Sequence, residues 1–317
     1  MESTIYLQLR EVILMNTVWY DYSKIEARNG TAIALGNFDG LHMGHMKLMS
    51  MLADVAQDNG LHSMVYTFDK HPINVIKGEN TLKLIADNEY KQKLLSGCNV
   101  DTLFFENFEA VRDLSPEEFV RDILVEKFNM KVAVVGLHNH YGKDSEGDVK
   151  MLREFGQKYG FLVHMIKPLY FGDFLCSSTK IRALIENGEV EKATELLGRP
   201  FALTNRVVQD KMLGRTLGYP TANMIPAENQ LIPKFGVYAT NTYVDGVGYQ
   251  SITNVGDSPT IGDGAVRLET YIIGFDGDVY DESLEVEFLY KIRDQRAFQS
   301  LNDLQAQLAE DEKVRLS

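Results

Sequence analysis

Residue types that bind a phosphate group are concentrated in one short stretch near the start of the chain. Four apolar residues, Ala32–Leu35, predict a buried strand, and turn residues separate it from an amphipathic helix that begins at Met43. A tight turn from strand to helix directs backbone N–H groups and the positive helix end at one point, which suits a phosphate. His42 and His45 are three residues apart at that helix start, so both can reach one anion. Gly44 between them leaves a nucleotide's approach open.

Two plainer interpretations of this stretch stay open on the residues alone. The run Asn37–Gly40 is also typical of a surface turn, and a histidine pair at this spacing is also typical of a partial metal site. Zinc sites use about three or four protein ligands, whereas no cysteine, glutamate or third histidine lies nearby at ligand spacing. The phosphate site and the surface turn therefore remain as the two main hypotheses.

A second cluster of polar residues follows Cys176. Ser177 or Ser178 can cap a helix, and Arg182 then lies one turn inside it with Lys180 nearby. Hydroxyl groups, helix-start amides and a guanidinium together make a suitable triphosphate clamp. A plain capped helix with a solvated arginine is the alternative that the pattern leaves open.

A third motif, Gly214–Asn223, combines glycines, a proline and small polar residues. Its last four residues, Pro220–Asn223, supply a hydroxyl and an amide oxygen on what we predict to be a stiff loop, and such oxygens can hold Mg²⁺ against a nucleotide phosphate. A simple Gly/Pro turn between two strands is the alternative interpretation.

Composition limits the kind of protein and the partners. The 317 residues are enough for two domains, and 44% hydrophobic with 24% charged residues is ordinary for a globular protein. A formal net charge of −13 disfavours nucleic acid and anionic membranes but not a small anionic substrate. The two cysteines, Cys98 and Cys176, form no disulfide framework, which favours a reduced cytoplasm. Residues 1–15 fit no later pattern and lack the features of a signal peptide.

The first half alternates strands with helices, which predicts an α/β, doubly wound parallel sheet. The Gly36–His45 and Gly136–Gly147 loops then fall at the carboxyl ends of its strands, where such folds bind ligands. No G-x-x-x-x-G-K-[ST] or G-x-G-x-x-G motif occurs, which excludes the ordinary P-loop and dinucleotide folds. Beyond the first strand, the predicted strands are Ser63–Phe68, Thr102–Phe105, Lys131–Val135 and Phe161–Ile166. The predicted helices lie around Asp87–Ser96, from Ser115–Pro116 onward and at Val149–Tyr159.

The second half has short strands at regular spacing, which predicts a small closed antiparallel barrel after a boundary near Gly198–Phe201. Asp245-Gly246 and Asp276-Gly277 are predicted hairpin turns. A final helix, Leu301–Leu308, has apolar positions at Leu301, Leu304 and Leu308 and is expected to cover the barrel. The predicted strands are Leu203–Val208, Gly236–Tyr243, Tyr249–Asn254, Val266–Phe275 and Leu284–Ile292.

Taken together, the motifs resemble one family from about Thr31 to the C-terminus. The string G-N-F-D-G-x-H-x-G-H at Gly36–His45 resembles the entry motif of the bacterial bifunctional riboflavin kinase/FAD synthetases, within the H-x-G-H nucleotidylyltransferase superfamily. The S-S-T-x-I-R string at Ser177–Arg182 resembles the family's grip on the β- and γ-phosphates of ATP. The G-R-x-L-G-[FY]-P-T-A-N string at Gly214–Asn223 is similar to that of riboflavin kinases.

The resemblance implies an FMN adenylyltransferase domain over 16–198, a riboflavin kinase barrel over 199–317 and an N-terminal extension, 1–15, of unclear role. It implies catalytic roles for His42, His45 and Glu269, with Glu269 taking the proton from a ribityl hydroxyl. Implied ATP contacts in the first domain are Gly36, Asn37, Phe38, Asp39, Gly44, Ser177, Ser178, Thr179 and Arg182. Implied ATP or flavin contacts in the barrel are Gly214, Arg215, Gly218, Pro220, Thr221, Asn223 and Arg293.

The implied ligands are Mg²⁺ with ATP, held by Thr221 and Asn223, together with riboflavin, FMN and FAD as substrates and products. The expected location is cytoplasmic, with neither nucleic acid nor membrane as a partner.

Three departures from the family pattern leave alternatives open. The loop that usually reads G-x-[DN]-F-x-F-G differs here at His138–Tyr141, and glycines that usually approach ATP are replaced by Asn205 and Asp210. Tyr271 and Gly274 stand where the family usually has His and Asp. The alternatives are an FAD synthetase whose barrel only binds flavin, and a flavin-binding paralogue with neither activity.

Overall fold

Packing divides the chain into two compact units that are not continuous in sequence. The computed structural model describes residues 15–25, 27, 29–172, 174–209, 218–257 and 266–317. Unit 1 consists of Met1–Phe38, His45–Gly78 and Lys91–Pro168, and unit 2 of Asp39–Gly44, Glu79–Tyr90 and Leu169–Ser317. The predicted domain boundary near Gly198–Phe201 divides the chain by sequence position and not by packing, and it stays a prediction.

Unit 1 is built on a six-stranded sheet in which every paired strand is parallel. This confirms the predicted doubly wound α/β fold. Its strands, in the spatial order β1-β4-β3-β2-β5-β6, are β1 (Asn16–Trp19), β2 (Thr31–Leu35), β3 (His62–Phe68), β4 (Thr102–Glu106), β5 (Met130–Gly136) and β6 (Leu162–Ile166).

Helices follow most of these strands in chain order. The Ser115–Glu118 capping box, with Pro116 at the first helical position, is present as predicted. The helices are α1 (Met43–Asn59), α2 (Pro72–Lys77), α3 (Asn88–Leu95), α4 (Phe108–Val111), α5 (Pro116–Glu118, continued by the π-helical Phe119–Lys127) and α6 (Val149–Tyr159), with short 3₁₀ turns at Tyr22–Lys24 and Lys143–Ser145.

Strand β2 is the centre of this sheet. All five of its residues are buried, since a parallel strand covered on both faces is apolar throughout. The chain proceeds from β2 to β3 on one side, whereas β5 pairs with β2 on the other, so the strand order reverses between β2 and β5. Ligands bind at such a reversal, outside the carboxyl ends of the strands. The loops that begin at Gly36 and Gly136 follow these two strands, as the sequence predicts.

Strand β1 was missed by sequence reasoning. It is four residues long, lies at the sheet edge and pairs with β4 in register Val18↔Phe104. The Trp19 ring stacks on Phe105 with a centroid distance of 4.0 Å. The strand is stabilised by residues about 85 positions away, so no local pattern reveals it. Residues 1–14, most of the proposed extension, lie outside the described residues.

Unit 2 contains the predicted closed barrel, with strand order β10-β13-β12-β11-β14-β9. Helices α7 (Ser178–Glu186) and α8 (Val190–Leu197) share one hydrophobic core with it, in which Ile181 and Leu196 join Phe201 and Phe288. The strands are a two-stranded pair, β7 (Tyr170–Phe171) and β8 (Phe174–Leu175), followed by β9 (Phe201–Val208), β10 (Thr221–Met224), β11 (Gly236–Val244), β12 (Val247–Asp257), β13 (Val266–Ile272) and β14 (Ser283–Arg293).

One of the two predicted hairpin turns is confirmed and the other is wrong. Asp245 and Gly246 join β11 to β12 with φ of 49° and 77°, the left-handed conformation that such turns require. By contrast, β13 ends at Ile272, and the segment containing Asp276-Gly277 joins it to β14, with which it does not pair. A turn dipeptide marks a bend, but only closure of the barrel decides which strands become neighbours.

A C-terminal helix, α9 (Leu301–Leu316), covers the barrel as predicted, but its buried anchors are charged residues, since Leu304 and Leu308 are only half-buried. Leu301 is 56% exposed, whereas Asp311 and Arg315 are 1% and 9% exposed. Asp311 accepts hydrogen bonds from Nε and Nη2 of Arg293 on β14, at 2.8–3.1 Å. Arg315 donates to the backbone carbonyl of Thr240, where the register of β11 against β14 shifts. Among the described residues no helix combines the length and apolarity needed to span a membrane.

The buried pair of Asp311 and Arg293 should contribute to the stability of the protein. Asp311→Ala removes the carboxylate that pairs with Arg293 and should lower the free energy of unfolding by about 3 kcal/mol, because breaking a buried pair leaves one charge uncompensated. Urea unfolding followed by circular dichroism measures the loss. Glu310→Ala, on the exposed side of the same helix, is the control and should change stability by less than about 0.5 kcal/mol. Equal midpoints for the two variants would contradict the anchoring role.

Candidate active site

Asp39 is the centre of hydrogen bonding among the candidate residues of unit 2. Its carboxylate is 4% exposed and accepts the backbone N–H of Ile85 and of Ala86, at 3.0 and 3.2 Å. The other carboxylate oxygen accepts from Nη2 of Arg182 at 2.7 Å. Three donors therefore satisfy a carboxylate that water does not reach.

Helix α7 brings the second polar cluster to the same loop. Ser177 is the helix N-cap and accepts from Lys180 N at 3.3 Å, whereas Ser178 Oγ donates to the carbonyl of Asp39 at 2.8 Å. The sequence left open which serine caps the helix, and the structure places Ser177 there. Thr179 is exposed. Arg182 is not solvated, since Nε also donates to the carbonyl of Lys83 at 2.9 Å.

His42 is buried, and its surroundings favour the neutral form of the imidazole. Burial, and then the positive charge of Arg199, lower the pKa of His42 to about 4. Arg199 follows the left-handed Gly198 that ends α8 and donates to the carbonyls of Gly40 and Leu41, at 2.7 and 3.0 Å. Its guanidinium lies 5.6 Å from the ring centroid of Tyr90. Arg199 thus holds the loop that carries His42, a role that its position before Pro200 did not reveal.

Gly44 makes room for the ring of His42. A Cβ at this position would lie 3.1 Å from Cε1 and Nδ1 of the imidazole, closer than nearly all Cβ contacts in proteins. With any larger residue the ring would have to shift by a few tenths of an ångström, so the glycine lets His42 pack closely in addition to leaving the approach open, as the sequence predicts.

Unit 1 contains the beginning of the loop and the second histidine. The backbone carbonyl of Asn37 accepts from Lys91 Nζ at 3.1 Å and from Thr67 Oγ1 at 3.2 Å. The ring of Phe38 is buried and meets the ring of His45 edge to face, with centroids 5.3 Å apart. A Cβ on Gly36 would lie 3.0 Å from the Phe38 ring. Lys91 and Thr67 lie on α3 and β3, so the motif itself could not identify them.

The loop after β5, which departs from the family pattern, is partly in the core of unit 1. Tyr141 is buried and packs on Phe119 with centroids 5.9 Å apart. Its hydroxyl has no hydrogen-bond partner in the described part of the chain, and the same holds for Nδ2 of Asn139. His138 and His140 are exposed.

Barrel strands bring the third set of candidates together. Glu269 on β13 is in register with Asn223 on β10 and with Asn254 on β12, whose Nδ2 donates to Glu269 at 3.1 Å. Thr221 is two residues before Asn223 on the same strand and so shares its face. The prediction that Pro220–Asn223 forms a loop is wrong, because Thr221–Met224 is strand β10. The strand still places both predicted metal ligands beside Glu269, and Asn254 was missed.

The donor set on this face fits Mg²⁺. It consists of the hydroxyl of Thr221 and the amide oxygen of Asn223, which are oxygen ligands of the kind that Mg²⁺ takes, with the carboxylate of Glu269 in register beside them. Nδ2 of Asn223 donates to the carbonyl of Thr221 at 3.4 Å, so the oxygen end of the amide suits a cation. No group of three His, Cys, Asp or Glu that could hold a metal occurs in the described ranges.

The remaining barrel candidates differ in what the structure assigns to them. Arg293 is held by Asp311, as described above, and Gly218 has φ of +85°. Gly214, Arg215 and Asp210 lie outside the described residues. Asn205 is in register with the core residue Leu284, is buried, and its Nδ2 has no hydrogen-bond partner among the residues that are described.

The environment of His42 predicts how stability depends on pH. Because the folded state holds its pKa at about 4, below the usual 6.5, the unfolded chain binds the proton more readily between these values. The contribution of neutral His42 to the free energy of unfolding is present above pH 6.5 and is lost as the pH falls towards 4. The free energy of unfolding, measured with urea, should fall between pH 7 and pH 5. The fall should be about 2 kcal/mol smaller in His42→Asn than in the unsubstituted protein. Parallel losses in the two proteins would contradict it.

Two family models match the chain, one after the other. A model of FAD synthetase matches residues 24–180, and a model of riboflavin kinase matches residues 197–316. The crystal structure of a macrolide-efflux protein from Streptococcus pneumoniae is 29% identical, with a TM-score of 0.86, and the match covers 95% of this chain and 99% of that one.

Curated relatives match over nearly their whole length. The bifunctional riboflavin kinase/FMN adenylyltransferase of Buchnera aphidicola subsp. Acyrthosiphon pisum is 32% identical over 295 residues, which cover 90% of this chain and 92% of the relative. The Escherichia coli protein of the same name is 32% identical over 289 residues, with 90% and 91% covered. The chain therefore belongs to the family of bifunctional riboflavin kinase/FMN adenylyltransferases.

Proposed function

We propose that this chain makes flavin cofactors in two steps, phosphorylating riboflavin to FMN and adenylylating FMN to FAD, each with Mg·ATP. The observation that carries the proposal is that both family models match, one after the other, and together account for most of the chain. Relatives that bear both activities in their name match over about nine-tenths of this chain. We assign residues 16–198 to adenylylation and 199–317 to the kinase, with the role of 1–15 left open.

In the kinase step, Glu269 is the general base. It takes the proton from the ribityl hydroxyl as that oxygen attacks the γ-phosphate of ATP, and ADP leaves. Thr221 and Asn223 would hold the Mg²⁺, and the bound ion would supply positive charge beside the phosphates. The register of β10, β13 and β12 supports this assignment, because it brings the three oxygen-bearing side chains to one face and fixes Glu269 through Asn254.

Nucleotide contacts in the kinase step are assigned by the motif. Gly214, Arg215, Gly218, Pro220 and Arg293 are the proposed contacts with ATP or flavin. For Arg293 the structure adds a second role, because its guanidinium also anchors α9 through Asp311.

In the adenylylation step, the phosphate of FMN attacks the α-phosphorus of ATP, and pyrophosphate leaves. No general base is needed, because a phosphate monoester is largely ionised near neutral pH. Positioning and charge stabilisation are the chemical requirements. His42 and the α7 segment Ser177–Arg182 are the proposed phosphate ligands in unit 2. His45, three residues after His42, is also proposed as a phosphate ligand.

Asp39 has a defined task in this step. Its carboxylate holds Arg182 at 2.7 Å and ties the start of α7 to the 83–86 segment. A triphosphate that binds Arg182 therefore competes with Asp39 for the same guanidinium. Before ATP binds, the hydrogen bond to Asp39 keeps the side chain of Arg182 ordered, so less side-chain entropy is lost on binding.

We also propose a cytoplasmic location, with neither nucleic acid nor membrane as a partner. Both cysteines are free thiols, and the formal net charge of −13 repels polyanions.

Two incubations of the pure protein test the function. With Mg²⁺ and ATP, riboflavin should give FMN and then FAD, and FMN supplied separately should give FAD and pyrophosphate, as followed by chromatography. EDTA should stop both. Formation of FAD only from supplied FMN would instead support an FAD synthetase with a flavin-binding barrel, the alternative suggested by Asn205 and Asp210 at positions where the family usually has glycine. The absence of both products would leave only flavin binding.

Glu269→Gln tests the general base. Its kcat for riboflavin phosphorylation should fall by roughly 100-fold or more, because the amide cannot take the proton, whereas FMN adenylylation should be unchanged. The matched control is Glu287→Gln. Glu287 is also a half-buried strand glutamate of the barrel and accepts from Tyr243 at 3.0 Å, but it is not in register with β10 or β13. A similar effect of both substitutions would refute the assignment.

A further inference from the structure

A cysteine contacts the ring of His42 inside unit 2. Sγ of Cys176 lies 3.5 Å from Nδ1 of His42, and both side chains are buried. The same sulfur lies 3.3 Å from the carbonyl oxygen of Leu196 on α8. Cys176 directly precedes Ser177, the N-cap of α7, and its backbone N–H donates to the carbonyl of Leu169 at 2.9 Å.

The sulfur has only one proton to donate. A carbonyl oxygen can only accept, so in the contact with Leu196 the thiol is the donor. Burial raises the pKa of Cys176, against a smaller lowering by the backbone N–H groups of Gly44 and Met43, which keeps the thiol protonated near neutral pH. With its proton directed at Leu196, the sulfur faces His42 as an acceptor.

The ring of His42 must then donate through Nδ1. Because its lowered pKa keeps the ring neutral, the imidazole carries a single proton. The partner of one ring nitrogen decides where the proton of a neutral imidazole resides.

We propose that Cys176 is a positioning residue for His42, whose sulfur accepts the Nδ1–H and fixes the orientation and tautomer of the ring, with Nε2 unprotonated in the nucleotide-free protein. The residue joins the two phosphate-binding elements of unit 2, because it contacts the histidine and begins the capped turn of α7. The position of the imidazole therefore depends on the position of the segment Ser177–Arg182.

This inference rests on the proposed adenylylation activity for its consequence but not for its geometry. An imidazole whose Nδ1–H is held by the sulfur keeps Nε2 directed at the bound nucleotide. Because an unprotonated nitrogen cannot donate to a phosphate oxygen, Nε2 takes up a proton from solvent when the phosphate binds. Loss of the sulfur frees the ring and mixes the tautomers. Misplacement of a reacting group by about 1 Å can cost up to about 100-fold in rate.

The first measurement is of the tautomer. In protein labelled with ¹⁵N-histidine, long-range ¹H–¹⁵N spectra at pH 7 should assign a protonated Nδ1 and an unprotonated Nε2 to His42, identified by comparison with His42→Asn. In Cys176→Ala the two nitrogen shifts should move towards each other as the tautomers mix. Cys176→Ser, which keeps a donor and an acceptor, should restore part of the difference.

The second measurement uses the two activities of one chain. In Cys176→Ala, kcat for FMN adenylylation should fall about tenfold, within the range expected for misplacement, whereas riboflavin phosphorylation should be unchanged. Cys98→Ala is the matched control. Cys98 is the other free cysteine, its sulfur contacts the carbonyl of Leu94 at 3.5 Å, and it lies in unit 1. Its removal should alter neither activity nor the spectrum of His42.

Three results would overturn the proposal. One is a protonated Nε2 in the unsubstituted protein, and another is an unchanged tautomer and rate in Cys176→Ala. The third is an equal fall of both activities in Cys176→Ala, which would indicate a role in stability alone. If the unsubstituted protein makes no FAD from FMN, the proposed function fails while the NMR result still decides the contact.

Discussion

A carboxylate that water does not reach must find all its hydrogen-bond donors within the protein, and Asp39 does so with three groups from two separated segments. Two are backbone N–H groups of the 79–90 segment and the third is the guanidinium of Arg182 on α7. Removal of any donor would leave part of a buried charge unsatisfied, which is why these segments keep one arrangement. The packing of Cys176 on His42 and of α7 beside the loop depends on that arrangement.

The barrel places its chemistry through strand register instead of through a buried charge. Thr221 and Asn223 alternate with core residues on β10, and pairing with β13 brings Glu269 to the same outer face. The hydrogen bond from Asn254 then limits the motion of the carboxylate. Rigid strands position side chains more closely than a loop does, so the strand character of Thr221–Met224 strengthens the candidate site that the motif suggested.

Sequence reasoning succeeded where one local physical preference decides the outcome. The apolar run of β2, the capping box at Ser115 and the turn at Asp245-Gly246 each depend on neighbours in sequence, and each is confirmed. It failed where the deciding partner is distant. Strand β1 depends on β4, and the Asp276-Gly277 segment joins two strands that are not neighbours in the barrel.

The motifs by themselves determined the family and the two-part architecture and supplied the candidate phosphate-binding and carboxylate residues, because chemistry of this kind needs particular side chains at short, fixed spacing. Only the tertiary structure decided how those residues are held. Arg182 is bound to Asp39 instead of to solvent, Arg199 and Cys176 surround His42, and α9 is anchored by Asp311. These partners are separated by about 20 to 160 positions in the chain, and no local spacing encodes a contact that forms only when the core has assembled.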